Sequence, residues 1–354
     1  MALDADNVAL KRLNYIGSKY QLIEWLFDNI LEKTGLNSFE DLTVGDLFSG
    51  TGIVSYNLRK LGARTITNDA ELYSSVIAGA MARSAYTDLV RDSINMLNRE
   101  LEAGAHKDFI GFITRNYSPF DGQTRMFFTV ENAKRIDYIR SRIAALRSDC
   151  TEEEHDMMLG SLLVSADHVA NVPAVYGCYL KNFKAKAMKT LILEPIHTDP
   201  SPSHPESVVH CADILSEVFL GEHIYDVVYL DPPYNNRQYS KNYFPLNMIA
   251  TEPDAADHTV VNGVSGIPEG CFVSPLCQKR KAAQAFEDIV SALNARWIFI
   301  SYNSESIVSK EDMLALLGRH GAASVVERDY KRFKSFSYNE DKDIVEYLFC
   351  LQKK

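Results

Sequence analysis

The sequence has no long apolar run and few cysteines. No segment reaches the about 18 uninterrupted apolar residues that a membrane-spanning helix requires, and the N-terminal residues lack a basic segment followed by an apolar one. Of 6 cysteines, only Cys271 and Cys277 are near each other, and their spacing matches no common zinc motif. We therefore expect a cytoplasmic protein with reduced thiols, no resident metal and no membrane segment.

Positive charge is also scarce. The chain has 37 Lys and Arg residues against 47 Asp and Glu residues, a net charge of -10 that does not favour binding to phosphate. Two segments depart from this balance: Cys178–Thr190 contains several lysines and no acid, and Arg328–Tyr338 alternates basic with aromatic residues. Such segments suit phosphate contacts and base stacking, although solvated faces have the same composition. Composition thus permits a nucleic-acid partner without requiring one.

Short apolar runs alternate with helical patterns along much of the chain. The runs that we interpret as strands are Leu42–Phe48, Ala63–Thr67, Val208–Ala212, Tyr225–Leu230, Trp297–Tyr302, Ala323–Val326 and Ile344–Leu351. Most are continuously apolar, which is typical of parallel strands buried on both faces. Helical patterns such as Gln21–Leu31 and Ala282–Leu293 lie between them. The chain is therefore predicted to be α/β, with a doubly wound sheet that binds ligands at the carboxyl ends of its strands.

The alternation stops between residues 82 and 205. This interval predicts several helices, of which Phe127–Leu146 is the clearest, and a short strand near Thr190–Leu193. Its last part, His197–Ser207, is rich in turn residues and is interpreted as a linker, and Thr251–Pro275 is interpreted as a long loop. We predict an α/β domain of residues 1–81 and 206–354, interrupted by a mostly helical domain of residues 82–205.

A glycine-containing segment, Asp46–Gly52, lies at the end of the first predicted strand. Its glycines allow the backbone to approach a nucleotide-like ligand closely. No Gly-Lys-Ser/Thr follows, and Ser55 occupies the place of the third glycine of a dinucleotide fingerprint. Asp69 closes the next predicted strand, where an acid binds ribose hydroxyls in such folds, although it could equally cap the following helix. The turn and the acid together predict a site for an adenosine-containing ligand.

The tetrapeptide Asp231-Pro232-Pro233-Tyr234 directly follows a predicted buried strand. Two prolines stiffen the backbone and remove two donors, which leaves carbonyl oxygens available in a cleft. A carboxylate beside such a carbonyl offers two acceptors to the N–H groups of a planar amine, and Tyr234 offers a face on which a base can stack. We therefore predict that Asp231, Pro232 and Tyr234 catalyse a reaction at the amine of a flat substrate.

These segments, in this order, resemble the D12-class, or α-group, adenine-specific DNA methyltransferases of type II restriction–modification systems. The resemblance begins at Tyr15-Ile16-Gly17-Ser18-Lys19 and continues through the glycine turn, Asp69, Cys211–Ile214, the tetrapeptide and Tyr330–Lys334. It implies a Rossmann-like S-adenosylmethionine-dependent methyltransferase fold, with a seven-stranded mixed sheet whose final strand is antiparallel. It also implies methyl transfer to N6 of adenine in double-stranded DNA by base flipping.

The resemblance assigns roles to particular residues. S-adenosylmethionine would be bound by Tyr15, Gly17, Lys19, Asp46, Phe48, Ser49, Gly50, Thr51, Gly52, Asp69, Asp213, Ile214 and Asp231. The inserted domain would recognise the target, and DNA would contact Lys181, Lys184, Lys186, Arg237, Lys331, Arg332 and Lys334. The resemblance also raises a cognate restriction endonuclease as a partner, and a prokaryotic cytoplasm, beside the nucleoid, as the location.

Other substrates and classes stay open at this point. Cytosine-specific relatives usually carry Ser, and protein-glutamine ones Asn, where Asp231 stands, so the substrate is expected to be adenine rather than cytosine or a protein amide. The catalytic residues do not exclude RNA. A nucleotide-dependent oxidoreductase would require a third glycine and an acid/base set at the strand ends, which we do not find. A DNA-binding protein without catalytic activity would not require the tetrapeptide.

Overall fold

The structure is a computed structural model that describes residues 9–216, 221–330 and 344–354. Within these residues, a seven-stranded sheet has the order β3-β2-β1-β4-β7-β9-β8, and a separate hairpin pairs β5 with β6. The strands are β1 Thr43–Asp46, β2 Arg64–Asp69, β3 Val208–Cys211, β4 Tyr225–Leu230, β5 Val261–Asn262, β6 Ile267–Pro268, β7 Ala295–Asn303, β8 Gly321–Tyr330 and β9 Ile344–Lys353. All seven predicted strands are thus confirmed, with small shifts of their ends.

The sheet is mixed, as expected from the resemblance. Strands β3, β2, β1, β4 and β7 are parallel, and β9 pairs antiparallel with both β7 and β8. The order of strands reverses between β1 and β4, which is where doubly wound sheets form their binding crevice. Asp46 ends β1 opposite Tyr229 of β4, so the glycine turn and the tetrapeptide leave the sheet side by side.

Helices cover both faces of the sheet. They are α1 Ile23–Thr34, α2 Ile53–Lys60, α3 Leu72–Ala82, α4 Asp88–Glu102, α5 Phe112–Tyr117, α6 Val130–Ala145, α7 Glu152–His168, α8 Tyr239–Asn242, α9 Phe244–Ala250, α10 Pro253–Asp257, α11 Ala282–Ala292 and α12 Lys310–Gly318. Among the described residues, no helix combines the length and apolarity needed to cross a membrane.

Alternate residues of the central strands supply two apolar cores. Val227 and Tyr229 of β4 belong to the core that contains α1, α3, α6 and α7, whereas Val228 and Leu230 belong to the core that contains α11 and α12. Successive side chains of a strand point to opposite faces, so a strand covered on both faces is apolar throughout. This explains the continuous apolar runs of the sequence.

The segment of residues 82–205 packs directly on the α/β fold. Helix α7 lies along α3, where a Cβ atom at Gly160 would come within 2.9 Å of Ala80 Cβ, so the two helices are in close contact. Helices α4, α6 and α7 contribute to the same core as β1 and β4. The residues 82–205 are therefore not a separate body with its own core.

The interpretation of His197–Ser207 as a linker is wrong. His197 and Asp199 are buried, and the amide of Tyr86 donates to the carbonyl of Asp199. The buried guanidinium of Arg59 donates to the carbonyls of Ser84 and Ser201. The turn-rich segment is thus fixed to α2 by polar contacts that its composition does not reveal.

The predicted strand near Thr190–Leu193 is also wrong. The segment is irregular, with Leu191 and Leu193 buried, and two asparagine side chains take the place of a neighbouring strand. Asn132 accepts from the amide of Leu191 at 2.9 Å, and Asn98 accepts from the amide of Leu193 at 3.0 Å and donates to its carbonyl. Side-chain amides therefore satisfy the backbone here.

The long loop predicted at Thr251–Pro275 contains ordered elements. It includes helix α10 and the β5–β6 hairpin, whose turn has positive φ angles of 67° at Gly263 and 73° at Gly266. Arg125 donates to the carbonyls of Gly263 and Val264, and the hydroxyl of Tyr117 donates to the carbonyl of Gly266 at 3.0 Å. Residues from the inserted segment thus hold the hairpin in place.

Candidate active site

The glycine turn after β1 is held by the acid that ends β2. Gly50 and Gly52 have left-handed φ angles of 52° and 67°, which glycine adopts without steric cost. One carboxylate oxygen of Asp69 accepts from the amide of Gly50 and the other accepts from the amide of Glu71, both at 2.9 Å. Asp69 therefore fixes the turn and still has lone pairs available for a ligand.

Four tyrosines form an aromatic cluster beside this turn. Tyr15 stacks on Tyr243 with ring centroids 5.0 Å apart and lies 5.4 Å from Tyr239, and Tyr73 lies 5.5 Å from Tyr243. The amide of Ile16 donates to the hydroxyl of Tyr243 at 3.0 Å, and the hydroxyl of Tyr239 donates to the carbonyl of Ile16 at 3.2 Å. The segment after the tetrapeptide thus positions the segment that contains Tyr15.

Asp46 is buried and Asp69 is half-buried, and they lie at the ends of adjacent strands. Burial, together with the charges of Asp231 and Asp69, raises the pKa of Asp46 to about 7, although hydrogen bonds from Ser55 oppose this. Burial raises the pKa of Asp69 to about 6. Such a group of acids favours a ligand that brings positive charge.

S-adenosylmethionine fits the residues of this part of the site. Among the described residues, Asp46 Oδ1 and Ser49 Oγ are buried without a hydrogen-bond partner, so both can receive donors from a ligand. The methionyl ammonium and the sulfonium of S-adenosylmethionine supply positive charge, and its ribose hydroxyls supply donors for Asp69.

The tetrapeptide forms a compact polar network at the end of β4. Lys19 Nζ lies 2.8 Å from Asp231 Oδ1, and the hydroxyl of Tyr234 lies 3.0 Å from the same oxygen. The tyrosine hydroxyl also lies 2.7 Å from Oε1 of Glu346, and the ring of Tyr234 packs edge-on against Tyr302 with centroids 5.2 Å apart. Residues from the first, central and final parts of the described chain thus meet at one carboxylate.

The sequence did not lead us to predict Glu346 as part of this network. It is the acid within the apolar run of β9, and only 5% of its surface is exposed. A buried charge in a strand otherwise occupied by apolar residues was the signal that could have identified it. Burial raises the pKa values of both Asp231 and Glu346, and the ammonium of Lys19 opposes both shifts.

The remaining residues assigned to the cofactor lie around the glycine turn or beside it. Phe48 is half-buried against the second core, and Ile214 is buried in that core. Asp213 accepts from the amide of Leu215 at 3.1 Å, in the turn that follows β3. Gly17 has a φ of 87°, and its carbonyl accepts from Lys19 at 3.2 Å. Thr51 is half-buried within the glycine turn, and Pro232 is buried beside Asp231.

The residues assigned to DNA binding differ in their surroundings. Lys181 and Arg237 are exposed, whereas the ammonium groups of Lys184 and Lys186 donate to the carbonyls of Val172 and Asp167. Gln238, which follows Arg237, exchanges hydrogen bonds with the backbone of Ser274. Lys331, Arg332 and Lys334 lie outside the described residues.

The sheet is doubly wound, with a glycine turn after β1 and Asp-Pro-Pro-Tyr after β4. Together, these features define a methyltransferase that acts on a planar amine. Residues 15–316 match the family model described as D12 class N6 adenine-specific DNA methyltransferase. This chain belongs to that family. The fold and the family imply S-adenosylmethionine as the methyl donor.

Curated relatives agree with this assignment. The chain is 38% identical over 342 residues to the type II methyltransferase M.CviAII of Paramecium bursaria Chlorella virus 1, covering 96% of this chain and 98% of that protein. It is 33% identical over 347 residues to the type II methyltransferase M.NlaIII of Neisseria lactamica, covering 96% and 99%. The type II methyltransferase M.FokI of Planomicrobium okeanokoites is 32% identical over 357 residues, which are 96% of this chain and 53% of that protein.

Proposed function

We propose that this protein is a site-specific methyltransferase that methylates N6 of adenine in duplex DNA and works within a restriction–modification system. The observation that carries the proposal is the juxtaposition of two elements at adjacent strand ends. The tetrapeptide follows β4 with Asp231 as its first residue, and the glycine turn follows β1, its neighbour in the sheet. A methyl donor bound at the turn would thus face an amine bound at the tetrapeptide.

The residues that we propose for cofactor binding offer hydrogen-bonding atoms at the glycine turn or form its wall. Asp69 and Asp46 would accept from the ribose hydroxyls and the ammonium group, respectively, and Ser49 Oγ would supply a further polar contact. Tyr15 would complete the wall of the site beside Gly50. When bound, S-adenosylmethionine supplies a methyl group that is activated by a positively charged sulfur.

The hydrogen-bond acceptors of the tetrapeptide would make the adenine amine a better nucleophile. The lone pair of the adenine amine is delocalised into the ring, which makes the nitrogen a poor nucleophile. Asp231 and the carbonyl of Pro232 would accept its two hydrogens and thereby localise the lone pair on nitrogen. Within the described residues, no backbone amide donates to the Pro232 carbonyl. Asp231 then takes the proton that the methylated amine releases, since methylation makes this proton strongly acidic.

The target base would have to leave the double helix to reach Asp231, because this carboxylate is only 18% exposed. The ring of Tyr234 would then provide a stacking surface for the flipped base, a contact worth roughly 1–3 kcal/mol in nucleic-acid-binding proteins. Tyr302 and the backbone amide of Ile307, which donates to the Tyr234 carbonyl at 3.1 Å, hold this tyrosine in place.

We assign recognition of the target sequence to residues 82–205, with residues 1–81 and 206–354 as the catalytic part. The exposed side chains of Lys181 and Arg237 would contact the DNA backbone, together with Lys331, Arg332 and Lys334. Lys184 and Lys186 would act indirectly, because their ammonium groups already donate to backbone carbonyls and so shape the segment that presents Lys181.

The restriction–modification role rests on the names of the relatives, which are type II methyltransferases of a bacterium and of a virus. A cognate endonuclease that cleaves the unmethylated target would be the partner. The proposed location is the prokaryotic cytoplasm, beside the nucleoid, where both enzymes would meet the DNA.

One experiment tests the proposal directly. Purified protein is incubated with S-adenosylmethionine and unmethylated genomic DNA, and modified bases are mapped by single-molecule sequencing, with the Asp231→Ala variant as the inactive control. The expected result is N6-methyladenine at one short recurring sequence. Methylation of cytosine, methylation at scattered positions, or transfer to RNA but not to duplex DNA would each contradict the proposal.

A further inference from the structure

Asp167 is an acid that helix α7 does not need for its own stability. It is the second-last residue of this helix, where the partial negative charge of the helix C-terminus disfavours a carboxylate. Asp167 is also buried, with 1% of its surface exposed, which costs free energy unless donors compensate the charge. The stabilisation that keeps an acid at this position therefore comes from residues outside the helix.

One carboxylate oxygen of Asp167 holds the residue before Tyr15. The backbone amide of Asn14 donates to Oδ2 of Asp167 at 3.0 Å, and the side-chain amide of Asn14 donates to the same oxygen at 2.8 Å. On the other side of Tyr15, the amide of Ile16 donates to the hydroxyl of Tyr243 at 3.0 Å. Hydrogen bonds at both neighbouring residues thus fix the backbone from which the ring of Tyr15 extends.

The other carboxylate oxygen of Asp167 supports the rings behind Tyr15. The hydroxyl of Tyr176, a buried residue, donates to Oδ1 of Asp167 at 2.9 Å. The ring of Tyr176 lies 6.2 Å from that of Tyr243, and Tyr243 stacks on Tyr15 with ring centroids 5.0 Å apart. Asp167 therefore reaches Tyr15 by two routes, through the backbone before it and through the rings on which it stacks.

The ring of Tyr15 forms a wall of the site at the glycine turn. A Cβ atom at Gly50 would be 3.0 Å from Tyr15 Cε1, so the ring lies directly on the turn. The tetrapeptide, by contrast, is positioned by the end of β4. A displacement of Tyr15 should therefore affect the binding of S-adenosylmethionine more than methyl transfer from the bound cofactor.

We propose that Asp167 is a positioning residue for S-adenosylmethionine binding, which holds Tyr15 against the glycine turn. The inference rests on the proposed function, because Tyr15 belongs to the cofactor site proposed there. Asp167 acts through Tyr15 and not by touching the cofactor. The carbonyl of Asp167 also accepts from the ammonium of Lys186 at 3.2 Å, in the segment that presents Lys181. The part of the chain assigned to target recognition thus completes the cofactor site as well.

The test compares Asp167→Ala with Asp137→Ala in the full-length protein. Asp137 is a matched control because it is also 1% exposed, lies in the same inserted segment, and accepts from the amides of Ile113 and Thr114 at 3.0 and 2.7 Å. We measure the melting temperature, the dissociation constant of S-adenosylmethionine by calorimetric titration, and the single-turnover rate of adenine methylation at saturating cofactor and DNA.

The two variants should differ in cofactor affinity rather than in stability. Both should melt at a lower temperature than wild type, because each loses buried hydrogen bonds. Asp167→Ala should bind S-adenosylmethionine at least about tenfold more weakly and methylate at saturating cofactor within about threefold of the wild-type rate. Asp137→Ala should keep its cofactor affinity within about threefold of wild type. Asp167→Asn should recover most of the affinity, because its amide oxygen can accept from Asn14 and its amide nitrogen can donate to the Tyr176 hydroxyl.

A double-mutant cycle with Tyr15→Ala shows whether Asp167 acts through this tyrosine. Tyr15→Ala alone should weaken cofactor binding, because it removes the wall beside Gly50. Adding Asp167→Ala to that variant should change the dissociation constant by less than about threefold, since the ring to be positioned is already absent. If the effects of the two substitutions multiply instead, Asp167 does not act through Tyr15 and the inference is wrong.

The inference is also overturned if Asp167→Ala binds the cofactor as wild type does, or if Asp137→Ala loses as much affinity. Should Asp167→Ala fail to fold, Asn14→Ala decides, because Asn14 is exposed and its side chain supplies one of the two hydrogen bonds to Oδ2. Asn14→Ala should bind S-adenosylmethionine at least about threefold more weakly, and an unchanged affinity contradicts the inference. These outcomes differ from a failure of the proposed function, in which the wild-type protein itself would not methylate adenine in DNA.

Discussion

The ring of Tyr15 lies directly against the backbone of Gly50, where a Cβ atom at position 50 would be 3.0 Å from Tyr15 Cε1. Residues far apart in the sequence thus leave no room for a side chain at the glycine turn. Position 50 therefore requires glycine for two reasons: its φ angle is left-handed, and the ring of Tyr15 occupies the space that a side chain would need.

Substitution of Gly50 separates these two reasons. Gly50→Ala should weaken S-adenosylmethionine binding by at least about tenfold, because the new methyl group displaces Tyr15 from the site. Gly35→Ala is the matched control, since Gly35 has a φ of 69° and a Cβ atom added there would meet no described atom within 4 Å. Both variants should lose about 1–2 kcal/mol of stability from backbone strain. Calorimetric titration and thermal unfolding measure the two effects, and equal cofactor affinity of the two variants would refute the role of Tyr15.

Cofactor binding should depend on pH through the buried acids. The pKa of Asp46 is about 7 and that of Asp69 is about 6, both above the ordinary value of 3.8. A cationic ligand favours the ionised forms, so below these values binding has to displace protons. We expect S-adenosylmethionine to bind more weakly as the pH falls from about 8 to 5.5, and Asp46→Asn to reduce this dependence. Isothermal titration at several pH values measures it, with Asp288→Asn on the surface of α11 as control.

The stability of the ligand-free protein should change with pH in the opposite sense. Between pH 3.8 and about 7, the folded state keeps Asp46 protonated more than the unfolded chain does. Raising the pH through this window therefore lowers the free energy of unfolding contributed by Asp46. Urea unfolding of wild type and Asp46→Asn at pH 5 and pH 8 tests the sign, and a stabilisation of wild type relative to the variant on raising the pH would contradict it.

The lysines between residues 178 and 190 should divide into two groups. Lys181→Ala should weaken DNA binding and reduce the slope of log K against log salt by roughly 0.9, the effect of one lost phosphate contact. Lys184→Ala should instead lower the melting temperature, because the Lys184 ammonium donates to the carbonyl of Val172. Fluorescence anisotropy at several salt concentrations distinguishes the two, and an unchanged slope in Lys181→Ala would show that this surface does not face DNA.

The asparagine contacts of the inserted segment should be important for stability. Asn132→Ala removes the acceptor of the Leu191 amide and the donor to the Lys189 carbonyl, both at 2.9 Å in a buried site. Unsatisfied buried groups of this kind cost about 1–3 kcal/mol each. Asn29→Ala, which removes only a contact to the carbonyl of Trp25 within the same helix, should cost less. Thermal unfolding of both variants gives the comparison.

The sheet could be predicted from the sequence because its strands are buried on both faces. Tyr225–Leu230 is predicted and found with the same bounds, since a continuous apolar run bounded by polar residues has few alternatives. The β5–β6 hairpin was missed because Gly263 and Gly266 indicate a turn but not the strands beside it. Its position depends on Arg125 and Tyr117, which are distant in sequence. Similarly, the Thr190–Leu193 segment has the apolar run of a strand, but its partners are side chains.

The candidate site was predicted as separate motifs, and the structure shows how they meet. The motif around Lys19 and the tetrapeptide around Asp231 both carried a recognisable pattern, and their contact follows from the fold. Glu346 carried only the signal of one acid in an apolar strand. The surroundings of Lys184 and Lys186 could not be predicted, because a lysine in an irregular segment has the same sequence pattern whether it faces solvent or a backbone carbonyl.

The position of β9 between β7 and β8 has a consequence for biosynthesis. A ribosome makes β8 before β9, yet among the described strands β8 pairs with β9 alone, so β8 has to wait without this partner until the later strand emerges. During that interval the edge of β7, with the apolar residues Ile298 and Ile300, is open to other chains. Nascent chains stalled before residue 344 should therefore depend on chaperones, and truncated products should aggregate rather than remain as inactive monomers.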